Sequence, residues 1–174
     1  DDVREETLGL LRQLGTTAIM VTHDPEEALS AGDRVVLMQR GRIVQSGTGY
    51  EIHDNPKTRY AADFFCAFNK IEGRVRQGRV ETPLGLLGDA SDLPDGLAAV
   101  AYVRPNAISI IEDAEKEGIA GEISSRVFLG EIEQLGIAVP GLPADLRVRT
   151  MQRTAAKTRA IRFGIDPKGV LIFT

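Results

Sequence analysis

The sequence predicts a two-part fold, an α/β segment over residues 1–66 followed by a small all-β barrel over residues 67–174. Helix-like and strand-like stretches alternate up to residue 66, whereas short runs rich in valine, isoleucine and leucine, separated by glycine and proline, fill the rest of the chain. The charge changes at the same place, since residues 1–66 carry 7 Lys/Arg against 11 Asp/Glu and residues 67–174 carry 14 against 14. Together these changes predict two domains.

The composition narrows the classes of function. The 174 residues are 43% hydrophobic and 26% charged, which is typical of a soluble globular protein. A net charge of −4 gives no overall attraction to nucleic acid. The single cysteine, Cys66, excludes an intramolecular disulfide and a cysteine metal cluster. One cysteine fits a reducing, cytoplasmic setting. No run approaches the roughly 18 apolar residues that span a bilayer, so a membrane is expected to matter only through a partner.

The first element is predicted to be an amphipathic helix that ends near Gly15, a residue suited to a helix C-cap. Its apolar side recurs at helical spacing and comprises Val3, Thr7, Leu10, Leu11 and Leu14. The next run, residues 16–22, is almost wholly apolar. It predicts a strand that is buried on both faces of a parallel sheet.

A second helix is predicted to begin directly after His23. Asp24 suits the N-cap, Pro25 suits the first helical position, and Glu27 can reach back to the cap.

Two strands and two short helices should complete the first part. Residues 35–38 and 42–45 predict strands joined by a tight turn at Arg40-Gly41. The helices are expected to start near Tyr50 and near Lys57.

This pattern places His23 at the C-terminal end of the predicted strand. Ligands of open α/β sheets bind beyond the carboxyl ends of the strands. An imidazole there can donate a hydrogen bond to a phosphate oxygen without a large desolvation cost. A capping or core histidine at a strand–helix junction is the alternative, and both interpretations remain open from the residue alone.

The segment around His23 resembles the switch loop, or H-loop, of ABC transporter ATPases. The matching residues, 19–29, read IMVTHDPEEAL; residues 33–47 are similar to the family's closing hairpin, and residues 50–56 to the segment after it. The resemblance implies that residues 1–66 are the C-terminal portion of a P-loop NTPase (RecA-like) nucleotide-binding domain. It also implies a catalytic role for His23, which would contact the terminal phosphate and help to orient the attacking water.

The same resemblance predicts that the chain is incomplete as an ATPase. A phosphate-binding loop needs glycines followed by a lysine and a hydroxyl, and the sequence contains no Gly-Lys pair. The family's signature motif, magnesium-side carboxylates and catalytic glutamate would precede Asp1, so a fragment that begins just after the D-loop is expected. ATP and Mg²⁺ are expected as cofactors of the intact subunit. No cofactor or metal is expected on this chain, which should be inactive alone.

The second part is predicted to be a barrel of the oligonucleotide/oligosaccharide-binding (OB) type. Its strands are expected at residues 71–75, 98–103, 108–111, 121–128, 134–139, 146–150, 160–165 and 170–173. Residues 64–75 resemble the junction into the accessory TOBE domain of importer ATPases that serve ferric iron, polyamines, sulfate, maltose and related solutes. Residues 103–108, 128–131 and 165–173 match the same domain, with Asn106 where glutamate is commoner.

The resemblance also implies partners for the intact subunit. These are a second ATPase subunit, as a homodimer or a pair of related chains, and transmembrane permease subunits at the cytoplasmic face of the inner membrane. A periplasmic solute-binding protein would act indirectly. Nucleic acid is not expected, because aromatic residues make up 5% of the chain and tryptophan is absent.

Coupling of ATP hydrolysis to solute import is therefore the expected function. The Phe68-Asn69 junction and the ending around Asp166 favour ferric iron as the solute. The alternative is a stand-alone regulatory or solute-binding module with a remnant ATPase segment.

Several other residues suggest special sites, but ordinary roles are favoured for them. His53 is expected on the surface rather than on a metal, and Cys66 is expected to be a packed thiol. Residues 112–117 predict a solvated acidic loop rather than an iron site. A basic stretch could hold an anionic regulator, although dimer contacts or solubility are favoured; it comprises Arg147, Arg149, Arg153, Lys157, Arg159 and Arg162.

Overall fold

The computed structural model describes residues 2–111, 117–154 and 158–174. The chain divides into two compact units, Asp1–Cys66 and Ala67–Thr174. The described residues form a mixed α/β structure in which strands predominate. Most of the predicted acidic loop, residues 112–116, and Lys157 of the predicted basic stretch lie outside the described residues.

The first unit contains four helices and one β-hairpin among its described residues. The predicted first helix is confirmed, and it ends in a Schellman motif: Gly15, at φ +62°, donates its N–H to Arg12, and the N–H of Thr16 bonds to the carbonyl of Leu11. The elements of this unit are α1 (Asp2–Gln13), α2 (Pro25–Ala31), β1 (Val35–Gln39), β2 (Arg42–Gly47), α3 (Gly49–Asp54) and α4 (Arg59–Phe65).

The predicted hairpin is also confirmed. β1 and β2 pair antiparallel from Val35 opposite Gly47 to Gln39 opposite Arg42. The two residues between the strands, Arg40 and Gly41, have φ values of +50° and +74°. Positive φ at both central residues matches the right-handed twist of the flanking strands, so this turn sets the register of the hairpin.

One buried side chain ties the hairpin to the helices that follow. The amide of Gln45 is 6% exposed; its Nε2 donates to the carbonyl of Asn55, and its Oε1 accepts from the N–H of Lys57. These bonds satisfy backbone groups at the end of α3 and ahead of α4, where no helical partner exists for them. Ile52, on α3, is fully buried.

Residues 16–22 contradict the prediction of a buried parallel strand. They form no strand, and the side chains of Ile19 and Val21 are 92% and 93% exposed. A strand needs a neighbour that bonds to its N–H and C=O groups, and no described strand lies beside this run. Every strand pair in the described part of the chain is antiparallel, so the expected parallel sheet is not formed there either.

All eight strands predicted for the second part are present, and two further short strands lie between them. These two strands, Arg79–Thr82 and Gly85–Leu87, were not predicted from the sequence; they follow a turn at Gln77 and Gly78, both with positive φ. The ten strands are β3 (Asn69–Arg76), β4 (Arg79–Thr82), β5 (Gly85–Leu87), β6 (Ala98–Val103), β7 (Ile108–Ile111), β8 (Ile119–Phe128), β9 (Glu133–Ala138), β10 (Leu146–Thr150), β11 (Ala160–Ile165) and β12 (Val170–Phe173).

These strands form two five-stranded antiparallel sheets. One has the order β12-β6-β3-β4-β5 and the other β10-β9-β8-β11-β7. Both sheets contribute side chains to one hydrophobic core, in which Phe163, Ala101 and Ile137 are fully buried. The remaining buried members of this core are Ile71, Leu84, Leu87, Val103, Ile108, Ile110, Ile123, Leu135, Leu146 and Val148.

A single asparagine links the two sheets by hydrogen bonds. Asn69, at the start of β3, is 7% exposed. Its Nδ2 donates to the carbonyl of Arg147 on β10 at 2.8 Å, and its Oδ1 accepts from the N–H of Arg147 at 2.7 Å. The side chain therefore pairs with β10 much as a neighbouring strand would.

Among the described residues, no helix is both long enough and apolar enough to cross a lipid bilayer.

Candidate functional site around His23

His23 precedes a helix whose first turn is fixed by its own cap. Asp24 adopts an extended conformation, and its Oδ1 accepts from the N–H groups of Glu26 at 2.8 Å and Glu27 at 3.1 Å. Pro25 occupies the start of α2, where it has no N–H to satisfy. The structure confirms that Asp24 is the N-cap of this helix and that Pro25 is its first residue.

The carboxylate of Glu27, which the sequence predicts to reach back to the cap, bonds to the hydroxyl of Thr22. The hydroxyl of Thr22 donates to Glu27 Oε2 at 2.6 Å and accepts from the N–H of Asp24 at 3.0 Å. The bond from the N–H of Asp24 to Thr22 could have been found from the sequence, because Ser and Thr hydroxyls commonly accept from the N–H two residues later. The structure adds the carboxylate that bonds to the same hydroxyl.

The imidazole of His23 is exposed, between two residues whose positions are fixed. Within the described residues it makes no hydrogen bond, ion pair or ring contact. The cap of α2 is supplied by Asp24, and His23 is not part of a core. Neither a capping nor a core role accounts for the histidine in this chain, and both ring nitrogens remain accessible to a ligand.

The charged residues nearest to His23 in the sequence are all acidic. Asp24, Glu26 and Glu27 follow it directly, and no lysine or arginine occurs between Arg12 and Arg34. Carboxylates near the start of α2 interact favourably with the partial positive charge of the helix terminus. The same carboxylates repel an anion, so this segment alone offers a phosphate one hydrogen-bond donor and no neutralising cation.

The described residues bring no metal-binding group together. Nowhere in residues 2–111, 117–154 and 158–174 do three or more His, Cys, Asp or Glu side chains form a cluster that could hold an ion. His53 lies on the surface, with its Nδ1 2.8 Å from Asp54 Oδ1. Cys66, the single cysteine of the chain, is half-buried and forms no disulfide.

The basic residues that the sequence grouped together do not share one described site. Arg147 and Arg149 point outward from β10, the guanidinium of Arg153 lies 5.2 Å from the ring centre of Phe128, and Arg162 donates to the carbonyl of Gly118. Within the described structure, Arg126 on β8 makes more polar contacts than the arginines of the predicted basic stretch. It donates to Thr154 and to the carbonyl of Thr158 and lies 3.8 Å from Glu133, so it links residues 154 and 158 to β8.

The Val-Arg-Pro motif after β6 has a structural role. Arg104 is 9% exposed, and its guanidinium lies 4.9 Å from the ring centre of Phe68. Its N–H donates to the carbonyl of Gly169, which joins the turn at Pro105–Ala107 to the turn at Pro167–Gly169. The motif therefore organises two turns.

Known proteins resemble this chain over most of its length, although no protein-family model matches it. A sulfate/thiosulfate import ATP-binding protein of Chromobacterium violaceum is 41% identical over 149 residues, which cover 82% of this chain and 40% of that protein. A putrescine transport ATP-binding protein of Escherichia coli is 32% identical over 145 residues, covering 76% of this chain and 38% of that protein.

An Fe(3+) ions import ATP-binding protein of Rhizobium meliloti is 33% identical over 177 aligned residues, covering 93% of this chain and 45% of that protein. A match of this extent in a chain of 174 residues includes residue 23. The chain spans 38 to 45% of the length of these three relatives. It is therefore similar, over most of its own length, to less than half of each of these import and transport ATP-binding proteins.

Proposed function

We propose that the chain is the C-terminal part of the ATP-binding subunit of an ABC importer. Residues 1–66 would be the end of its nucleotide-binding domain, and residues 67–174 its TOBE-like regulatory domain. The observation that carries the proposal is the exposed, unbonded imidazole of His23 between two fixed neighbours, in a segment similar to import ATP-binding proteins. Because the neighbouring residues are hydrogen-bonded, mainly the side-chain rotamer of His23 has to be ordered when it places a donor against a ligand.

In the intact subunit, His23 donates a hydrogen bond to the terminal phosphate of ATP and helps to orient the attacking water. ATP supplies the phosphoryl group, and Mg²⁺ neutralises its charge. Residues outside this sequence hold both, because the sequence has no Gly-Lys pair and the charges beside His23 are acidic. The chain alone therefore binds no cofactor tightly and does not hydrolyse ATP.

The partners follow from the same assignment. A second ATPase subunit would pair with this one, and the pair would act on transmembrane permease subunits at the cytoplasmic face of the membrane. A periplasmic protein would select the solute. The relatives are named for sulfate or thiosulfate, putrescine and Fe(3+); ferric iron is the solute that we propose, and growth of a deletion strain on limiting iron, sulfate or putrescine discriminates among them.

The proposal is tested by a chimera in which this chain replaces the matching segment of the Rhizobium meliloti protein. We expect the chimera to hydrolyse ATP, and we expect His23→Ala to lower kcat by about 100-fold, since one misplaced donor can cost that much in phosphoryl transfer. The 174-residue chain alone should release no phosphate above its own His23→Ala variant.

Three results would contradict the proposal. They are a chimera that folds, as judged by circular dichroism and gel filtration, but does not hydrolyse ATP; a His23→Ala chimera as active as its parent; and phosphate release by the chain alone that depends on His23. An exchange limited to residues 1–66 provides the same comparison if the longer exchange does not fold. An inactive, folded chimera would favour a stand-alone regulatory or solute-binding module.

A further inference from the structure

Hydrogen bonds fix the backbone on both sides of His23, although the imidazole of His23 has no partner among the described residues. On one side, the hydroxyl of Thr22 bonds to Glu27 Oε2 at 2.6 Å and to the N–H of Asp24 at 3.0 Å. On the other side, Asp24 Oδ1 accepts from two N–H groups of α2. The loop and the first turn of the helix are therefore joined by hydrogen bonds on both sides of the His23 backbone, and the imidazole stays exposed.

The bonds of Thr22 go beyond what is needed to cap the helix. The cap is already supplied by Asp24, which satisfies the two N–H groups at the start of α2. Thr22 lies outside the helix, on the other side of His23. Residues 17–21 make no hydrogen bond within the described part of the chain, and Ile19 and Val21 are exposed. Among the described residues, the hydroxyl of Thr22 is therefore the hydrogen-bonding group nearest to His23 on its N-terminal side.

We infer that Glu27 is a positioning residue for His23 and acts through the hydroxyl of Thr22. The inference rests on the proposed function, because it assumes that the imidazole must reach a phosphate. A carboxylate that accepts from a hydroxyl at 2.6 Å makes a short, charge-assisted hydrogen bond, which restricts the backbone of Thr22. That restriction limits the directions in which the side chain of the next residue, His23, can point from the loop.

The inference is tested by kinetics of the chimera described above. Thr22→Val keeps the shape of the side chain but removes the hydroxyl, and Glu27→Ala removes the acceptor. We expect each variant to lower kcat by about 10- to 100-fold, because a donor displaced by about 1 Å loses that much of the rate. The KM for ATP should change little, since residues outside this segment would hold the nucleotide.

Conservative variants separate positioning from mere folding. Thr22→Ser restores the hydroxyl, and Glu27→Gln restores a side-chain oxygen that accepts from it. Both should recover most of the kcat lost in Thr22→Val and Glu27→Ala. Glu26→Ala is the matched control, because Glu26 carries the same charge in the same turn and no hydrogen bond of its carboxylate is found in the described structure.

A second measurement uses the 174-residue chain without any nucleotide. The N–H of Asp24 bonds to the Thr22 hydroxyl. Its hydrogen exchange, followed by nuclear magnetic resonance, should therefore become faster in Thr22→Val and in Glu27→Ala, and should remain unchanged in Glu26→Ala. This readout reports the loop directly and does not depend on catalysis.

The outcomes distinguish the two proposals. If the His23→Ala chimera stays active, the proposed function fails. If it loses activity while Thr22→Val and Glu27→Ala match Glu26→Ala in kcat, the proposed function stands and the positioning role is wrong. Loss of kcat that is accompanied by unfolding and is not recovered by Thr22→Ser or Glu27→Gln would also overturn the positioning role, since it would show a purely structural effect.

Discussion

At the scale of single residues, Asn69 has a structural role in the fold, whereas its resemblance to importer sequences suggests a link to the solute. The Phe68-Asn69 junction is one of the two features of the sequence that favour ferric iron, the other being the ending around Asp166. In the structure, the amide of Asn69 is buried and bonds to both backbone groups of Arg147 on a strand of the other sheet. Asp166 likewise caps a turn, where its carboxylate accepts from the N–H of Lys168. Both residues have structural roles that are independent of the solute.

The amide of Asn69 gives a direct prediction about stability. Asn69→Ala leaves the N–H and the carbonyl of Arg147 without their partner, and an unsatisfied buried polar group costs about 1–3 kcal/mol. We expect the free energy of unfolding to fall by about 2 kcal/mol, as measured by urea unfolding followed by circular dichroism. Asn106→Ala is the control, because Asn106 is exposed and should change stability by less than about 0.5 kcal/mol. Equal effects of the two substitutions would show that the link between the sheets contributes nothing.

At the scale of elements, α3 is a short helix that depends on its cap. Thr48 Oγ1 accepts from the N–H of Glu51, and Glu51 Oε2 accepts from the N–H of Thr48 at 2.8 Å. The hydrogen bond from the backbone of Thr48 is the main cause that lowers the pKa of Glu51 below its usual value, with the Thr48 side chain and the charge of Arg34 acting in the same direction. The ionised carboxylate is therefore the form that stabilises the helix.

This cap makes stability depend on pH. Because the pKa of Glu51 is lower in the folded state, its contribution is fully present above the pKa of the unfolded chain, about 4.3 for glutamate, and is lost as the pH falls through the folded pKa. In Glu51→Gln the hydrogen bond to Thr48 is possible without a charge that titrates, so the loss of stability on acidification should be smaller. Thermal unfolding between pH 7 and pH 3 measures the difference. Parallel curves for the two proteins would disprove the link.

The elements that the sequence predicted well are those with local signals. Asp24 and Pro25 mark the start of α2, and Arg40-Gly41 marks the turn of the hairpin, because each acts on backbone groups a few residues away. The run at residues 16–22 has an equally clear apolar pattern, but a strand also needs a neighbour, and the pattern contains no information about one. The short strands β4 and β5 were missed because their three to four residues are too few to establish an alternating pattern.

Some features of the candidate site could likewise be predicted from the sequence, and others could not. The sequence indicated His23 and the cap at Asp24, and the structure shows an exposed imidazole beside that cap. The bond between Thr22 and Glu27 was not predicted in this form, because both residues offered several local partners and only the folded loop selects between them. The role of His23 toward phosphate stays a prediction, which the chimera tests.

At the scale of the whole molecule, the two units differ in how they are stabilised. Nine large side chains are described as fully buried, and eight of them lie in residues 67–174; Ile52 is the exception. In the first unit, hydrogen bonds from Gln45, Thr48 and Asp24 fix the short elements. The site around His23 therefore lies in the unit with less buried apolar surface, where local hydrogen bonds must supply the order that burial supplies elsewhere.

This asymmetry leads to a prediction about independent folding. The hydrophobic core around Phe163 and the smaller cluster of Val75, Val80, Ala90 and Ala99 consist only of residues after Cys66. Residues 67–174, expressed alone, should therefore give a single cooperative unfolding transition, and residues 1–66 alone should not. Phe163→Ala should lower the stability of residues 67–174 by about 3–5 kcal/mol, the usual cost of truncating a buried phenylalanine. Differential scanning calorimetry of both segments measures these transitions. The prediction is wrong if residues 67–174 alone unfold without cooperativity, or if residues 1–66 alone unfold in a sharp transition. Either result would show that the buried side chains of residues 67–174 do not account for the difference in stability.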